Sequence, residues 1–388
     1  MKKVLFFVLI FFTITVSAQG RKFFEKGEAI LKNPVEKINL TFENEIPLVK
    51  VIINGKPYQF LFDTGAPTVI SHSVYNEMNL KKQHKSKVGD SQKNKHEQIF
   101  TELPEMTIDQ VIFKNVGAMV MDLQGHEFGC LKIDGIIGAN QMAKLFWRIN
   151  YSENTLEATA DLKNFQIEDY ETVFKFFSLS QKTPIIESKI LNKKINLTFD
   201  TGFTGGIKIS DSEYDSKNTT VKSVETFGVN SVGAFGTGKP VSSYHFRPKE
   251  LELAQHKFQN EIVTTGNSSL LGNEFLKKFK FVIDWENNKI YLHRMIDTPS
   301  KMQSFGFAYR FINLKAKVVL VFQQTNFPIQ IDDEILSIND TSFENLNDIS
   351  SCEYLLNRVE KDFKSIKVKI KRGDQILNFT VDKKEYLN

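Results

Sequence analysis

"FLFDTGAPTVIS" (residues 60–71) returns further along the chain as "LTFDTGFTGGIKIS" (residues 197–210), each an apolar run that ends in Asp-Thr-Gly. One copy would carry little meaning, because an ordinary turn with a capping aspartate accounts for it. The surroundings match as well. Pro47 lies 16 positions before Asp63, and Pro184 lies 16 positions before Asp200. Both stretches alternate apolar and polar residues, break at Asn54-Gly55 or Asn192-Lys193, and resume. That is the pattern of a β-hairpin whose second strand runs into the aspartate turn. Downstream, "DGIIGANQMAKLFWRINYSENTL" from Asp134 lies over "SSLLGNEFLKKFKFVIDWENNKI" from Ser268. Asp63 precedes Gly138 by 75 positions and Asp200 precedes Gly272 by 72; 13 positions on stand Tyr151 and Trp285. The chain therefore contains two successive units of roughly 120 residues, each built from short strands and one brief helix.

The remaining composition narrows the class. At 388 residues, 41% hydrophobic and 25% charged, the chain has material for two or three globular domains. Its net charge of +4 is scattered, with no basic stripe interleaved with aromatics, so nucleic acid is excluded as an expected partner. The opening "MKKVLFFVLIFFTITVSAQG" has a signal-peptide layout: Lys2 and Lys3, an apolar run from Val4 to Val16, then Ser17 and Ala18. Cleavage after Ala18 predicts an exported protein, periplasmic or secreted, with no stable membrane insertion afterwards. Losing Lys2 and Lys3 lowers the charge from +4 to +2. Cys130 and Cys352, 222 positions apart, are expected as free buried thiols. The seven His are dispersed without zinc spacing, so neither metal nor cofactor is expected.

From about residue 300 the pattern changes. "IQIDDEILSINDTSF" reads as a strand pair, "NLNDISSCEYLLNRVEKDF" carries helical spacing, and "IKVKIKRGDQILNFTV" is a hairpin turning on Gly373-Asp374. Such a module is large enough to fold alone.

Chemistry follows if the two units face each other through their turns. Asp63 and Asp200 would then meet, and two carboxylates about 3 Å apart share one proton. The ionised member is a general base for a water between them; the protonated member donates to a carbonyl oxygen and then to the leaving nitrogen. Gly65 and Gly202 would let backbone N–H groups approach the carboxylates, and Thr64 and Thr201 would hold the turns in register. Gly138 and Gly272, behind the turns, would let two backbones cross closely.

The segments "FDTGA", "DGIIG", "FDTGF" and "SLLG" resemble the signatures of the retropepsin and pepsin superfamily of aspartic proteases, here in a version resembling bacterial proteins with both lobes in one chain. The resemblance covers roughly residues 40–295. It implies a mainly β, bilobed, pseudo-two-fold pair of aspartic-protease-like β-barrels, with Asp63 and Asp200 as the catalytic pair and Thr64 and Thr201 gripping across it. Two departures stand out. Phe203 follows the second motif where a small residue is usual, as Ala66 is in the first. No tyrosine occurs between Tyr75 and Tyr151 to serve a pepsin-like flap. The expected flaps are "SKVGDSQKNK" (residues 86–95) and "FGVNSVGAFGTGKP" (residues 227–240). The tail resembles an α+β PDZ domain, which implies a peptide ligand added beside its sheet; Asp332 stands where such domains carry glycine.

The expected organisation is a signal peptide over 1–18, protease lobes over 19–165 and 166–297, and a PDZ-like domain over 298–388. Residues 20–40 are expected to supply the first strand of a sheet between the lobes. The expected function is an exported aspartic endopeptidase acting on peptide or unfolded protein. The alternative is a catalytically silent peptide-binding protein that uses the cleft and the tail module for capture.

Overall fold

The computed structural model describes residues 7–8, 12–13 and 23–387, apart from 91, 93, 124, 217–219 and 325. The expected signal segment falls outside them except for those two residue pairs. Among the described residues no helix is long and apolar enough to cross a membrane.

The chain is mainly β. Strands Ile46–Ile53 and Lys56–Asp63 form the first hairpin, with Ile53 opposite Lys56. Its turn is the expected Asn54-Gly55, both residues at positive φ, the backbone that a two-residue hairpin loop demands. Strands Pro184–Ile190 and Lys193–Phe199 form the second hairpin. Here the turn falls one residue earlier than expected, on Leu191-Asn192, because Ile190 pairs with Lys193. Keeping Ile190, Ile195, Leu197 and Phe199 on the buried face fixes that register and overrides the poorer turn residue.

Each aspartate strand is flanked by the segment that matches in the other unit. Gly135–Gly138 runs parallel to Lys56–Asp63 with Gly138 opposite Asp63. Leu270–Leu271 runs parallel to Lys193–Phe199, and Asp200 N–H binds Leu271 O. Behind these strands sit equivalent aromatic pairs: Phe62 against Trp147 at 5.0 Å, and Phe199 against Phe281 at 5.3 Å. Each second partner lies nine residues beyond its glycine.

A six-stranded sheet joins the two units. Phe146–Asn150 pairs at its centre with Phe279–Asp284. Thr155–Thr159 and then Glu36–Asn39 extend it on one side; Lys289–Arg294 and then Thr172–Lys175 extend it on the other. Glu36–Asn39 is thus the edge strand expected from residues 20–40.

The C-terminal module has strands Phe307–Ile312, Lys315–Phe322 and Glu334–Ile338, helix Asp348–Leu356, and hairpin Ser365–Arg372/Gln375–Asp382. Its core includes Phe307, Tyr309, Val318, Ile335, Val368 and Ile370. Asp332 has φ +68, a backbone that glycine adopts more readily than aspartate. Asp333 is buried and takes two 2.7 Å hydrogen bonds from Arg372. The module does not stand apart: Lys315–Phe322 pairs with Ser223–Gly228 of the second unit, so one sheet runs through both.

The expectation of two free thiols is wrong. Cys130 and Cys352 form a disulfide joining the short helix His126–Cys130 of the first unit to Asp348–Leu356. Residues 222 apart in sequence meet because the module folds back onto the first unit. Arg310 of the module, buried, binds Glu127 beside Cys130.

Candidate active site

Both aspartates end buried strands and sit in tight Asp-Thr-Gly turns that face one another. Gly65 N–H donates to Asp63 Oδ1 at 2.7 Å, and Gly202 N–H donates to Asp200 Oδ1 at 2.9 Å. The glycines are required by the opposing carboxyls. A Cβ on Gly65 would stand 2.6 Å from Asp200 Cγ, and one on Gly202 would collide with Asp63 Oδ2.

The threonines cross over. Thr64 N–H donates to Thr201 Oγ1 and Thr201 N–H donates to Thr64 Oγ1, both at 3.0 Å. Each hydroxyl then donates to the opposite strand, Thr64 to Phe199 O at 2.6 Å and Thr201 to Phe62 O at 2.7 Å. Four reciprocal bonds between residues 137 or so apart leave the turns little freedom to shift. Gly138 and Gly272 fill the places behind. Gly138 leaves no room for a Cβ beside the Pro67–Thr68 backbone, and Gly272 leaves none beside Phe203 and Gly205.

Asp63 and Asp200 are fully buried. Burial pushes the Asp63 carboxyl above its ordinary range, opposed by hydrogen bonds from Gly65 and neighbouring backbone N–H groups. Burial raises Asp200 well above that range too, and the neighbouring Asp63 charge raises it further. Among the described residues no protein donor reaches either Oδ2, so each carboxylate keeps one oxygen uncommitted. Phe203 is buried and packs against the glycine behind its turn. Its ring lies against Gly272, with Lys208 Nζ 5.9 Å from its centre, inside the second unit.

Both expected flap segments are hairpins. Strands Lys82–Asp90 and Lys95–Ile108 place Asp90, Gln92 and Asn94 at the tip of the first. Strands Ser223–Gly228 and Val241–Phe246 flank the second, whose glycine-rich loop folds on itself through Val232 and Thr237. The two tips touch. Asp90 Oδ2 accepts from Phe235 N–H, Gln92 Nε2 donates to Ser231 Oγ, and Asn267 Nδ2 donates to Gln92 Oε1, each at 2.9 Å. Val88 and Ala234 belong to one apolar cluster with Ala66 of the Asp63 turn, which ties both hairpins to the first unit's side of the site.

Sequence reasoning missed the asparagines that brace these turns. Asn273 Nδ2 donates to Thr201 O at 2.6 Å, and Asn140 Oδ1 accepts from Thr68 N–H at 2.7 Å. The signal was present, since each follows its glycine within two residues in "GAN" and "GNE".

Residues 49–140 match a family model described as Aspartyl protease. No curated protein matches the chain. The matched span holds Asp63 and Gly138 but ends before the second turn, which the internal repeat and the crossed threonine bonds tie to the first. Residues 49–140 thus carry an aspartic-protease-like domain, whose aspartate turn in this chain meets a second copy of itself.

Proposed function

We propose that this protein is an exported aspartic endopeptidase that hydrolyses peptide bonds through water activated by Asp63 and Asp200. The observation that carries the reading is the reciprocal seating of the two carboxyls, each against the other turn's glycine. Two buried carboxyls that close hold one proton between them more readily than two charges or none. With one proton shared, the ionised oxygen takes a proton from water as it attacks the scissile carbonyl. The protonated oxygen donates to the carbonyl oxygen and then to the departing amine. The two uncommitted Oδ2 atoms are the ones free for those roles. Thr64, Thr201 and the turn glycines hold geometry; no metal or cofactor enters the scheme.

An extended peptide or unfolded protein is the substrate this cleft would take, beneath the two hairpins that touch over it. The signal-peptide layout of residues 1–18 supports action outside the cytoplasm, periplasmic or secreted. The tail module, read as PDZ-like, would present a second peptide-binding edge on Phe307–Ile312.

The test is direct. Protein lacking residues 1–18 should cleave an unfolded polypeptide, and Asp63→Asn and Asp200→Asn should each lower the rate at least about a thousandfold. Cleavage that survives either change overturns the paired mechanism. Peptide binding without cleavage at any pH would instead favour a silent capture protein.

A further inference from the structure

The two units differ beside their aspartate turns. In the first, Val69 pairs with Ile136, two residues before Gly138. In the second, Lys208 pairs with Leu270, two residues before Gly272. Lys208 therefore occupies the place of Val69. Val69 is wholly buried in an apolar cluster with Ala66, Phe100 and Met119. Lys208 is 2% exposed, and among the described residues no carboxylate lies within 4 Å of its amine. A buried ammonium without a carboxylate is costly, and is retained where something else supplies the charge.

Around Lys208 lies a cavity of about 180 Å³ between the second unit and the C-terminal module. Its walls are chiefly apolar, with Phe203, Ile207, Val229 and Phe275 from the unit and Leu320 and Phe322 from the module. One end starts at Phe203 and Thr204, the residues that follow the Asp200 turn. Thr204 is 2% exposed and its Oγ1 has no hydrogen-bond partner among the described residues. Lys208 Nζ reaches Ser231 Oγ at 3.2 Å, the hydroxyl that also takes Gln92 of the first flap. The cavity thus borders the residues that follow the Asp200 turn, and Lys208 on its wall is bonded to the hydroxyl that ties the flap tips together.

Its charges are sorted. Of the lining carboxylates, Glu45 is paired with Lys277, and Glu261 with Lys278 and Ser300. Glu274 stands beside Gly206. His245 is bonded through both ring nitrogens to Thr226 and Thr264, and burial with the nearby Lys208 charge drives its pKa down to about 4, so it is neutral. Burial lowers Lys208 to about 8, against a pull upward from Asp211, which leaves the amine mainly charged at neutral pH. The wall at Lys208 is therefore positive and the remaining walls are largely apolar. A glutamate side chain, with two methylenes and a carboxylate, matches that arrangement in size and charge.

We propose that this cavity is a specificity pocket that receives a glutamate side chain of the peptide substrate, with Lys208 as its counter-ion and Thr204 Oγ1 as a second donor. The assignment rests on the peptidase reading. The experiment uses amidated, acetylated, dye-quenched peptides, neutral throughout, in which a single Glu replaces Gln at each position in turn. At one position Glu should raise kcat/KM over Gln by about tenfold or more, and Lys208→Met should bring that ratio close to one. Thr204→Val should lower the ratio part of the way. Because each ratio is taken within one protein, loss of folded material cancels, and the wild-type scan stands even where a variant fails to fold. Cleavage with no Glu-preferring position, or a preference that Lys208→Met keeps, overturns the pocket while the peptidase reading survives. In a matched set of the Gln peptides ending in a free carboxylate, a preference for that terminus over any Glu overturns the side-chain assignment. Binding of the same labelled peptides separates the remaining outcomes. Glu-dependent binding without cleavage keeps the pocket and removes the peptidase, and neither binding nor cleavage removes both.

Discussion

The two repeat units are alike where they meet and unlike just beside that place. At the turns the bonds of Gly65 match those of Gly202 and the bonds of Thr64 match those of Thr201, while Gly138 and Gly272 fill equivalent places behind them. Just past the turns, Ala66 of the first unit has the place that Phe203 has in the second, and Val69 has the place of Lys208. The first unit closes the space with Phe24, Phe100 and Met119, all wholly or almost wholly buried. The second leaves a cavity that the C-terminal module walls off. Symmetry is kept where two carboxyls must meet in one geometry, since a displaced turn would separate them. The walls carry no such demand and are free to diverge.

The largest expected effect concerns how the C-terminal module is attached, which also differs between the units. The second unit holds it by a shared sheet, the first by the Cys130–Cys352 bond and the Glu127–Arg310 pair. A cross-link closing a loop of this length removes much freedom from the unfolded chain, worth up to about 5 kcal/mol by the chain-entropy account. Reduction, or Cys130→Ser with Cys352→Ser, should lower the denaturation midpoint markedly. An unchanged midpoint would mean that the shared sheet alone sets the module's position.

Next comes Phe203→Ala, which makes the second turn imitate Ala66 of the first. The ring is 1% exposed and borders an existing cavity, so truncation should cost about 3–5 kcal/mol with little relaxation to offset it. Since the ring packs against Gly272 behind the turn, activity per folded molecule should not rise. A large gain would show that Phe203 obstructs the pair after all.

The crossed threonines give a smaller effect that tests the likeness itself. Thr64→Val and Thr201→Val each remove one acceptor for an N–H and one donor to a strand carbonyl, stranding buried partners at about 1–3 kcal/mol. The two costs should agree closely, and the double variant should lose less than their sum because the bonds form one network. Unequal costs in chemical unfolding would show that one turn is braced elsewhere more firmly than the other.

These features were legible in the sequence to different depths. Repeat spacing revealed the hairpins, the facing turns and the glycines behind them, because a duplicated pattern ties residues together across a long separation. Asn140 and Asn273 stand in the same repeat, but they follow their glycines by two residues and by one, so equal spacing does not pair them. The Cys130–Cys352 bond could not be read, since it depends on where a separate module docks and no local periodicity records that. Leu191-Asn192 taking the turn in place of Asn192-Lys193 has the same origin, burial of the strand face outweighing turn preference. Lys208 sat in plain sight inside an apolar strand; only its pairing with Leu270 showed that it replaces Val69.

The smallest effect is on stability and has a definite sign. Both carboxyls of the pair are raised above their unfolded range, by burial first. Below the ordinary carboxylate pKa, folded and unfolded chains are protonated alike at these two sites, and the pair imposes no penalty. As pH rises, the unfolded chain releases its protons while the folded one retains them, so stability falls until pH passes the raised values. Asp200→Asn takes away one member and most of that penalty. The variant should therefore melt a few degrees above wild type near pH 7 and level with it near pH 3. Wild type at least as stable as the variant near neutrality would mean that the two carboxylates are not strained by each other, and the likeness of the two turns would then lack its chemical reason.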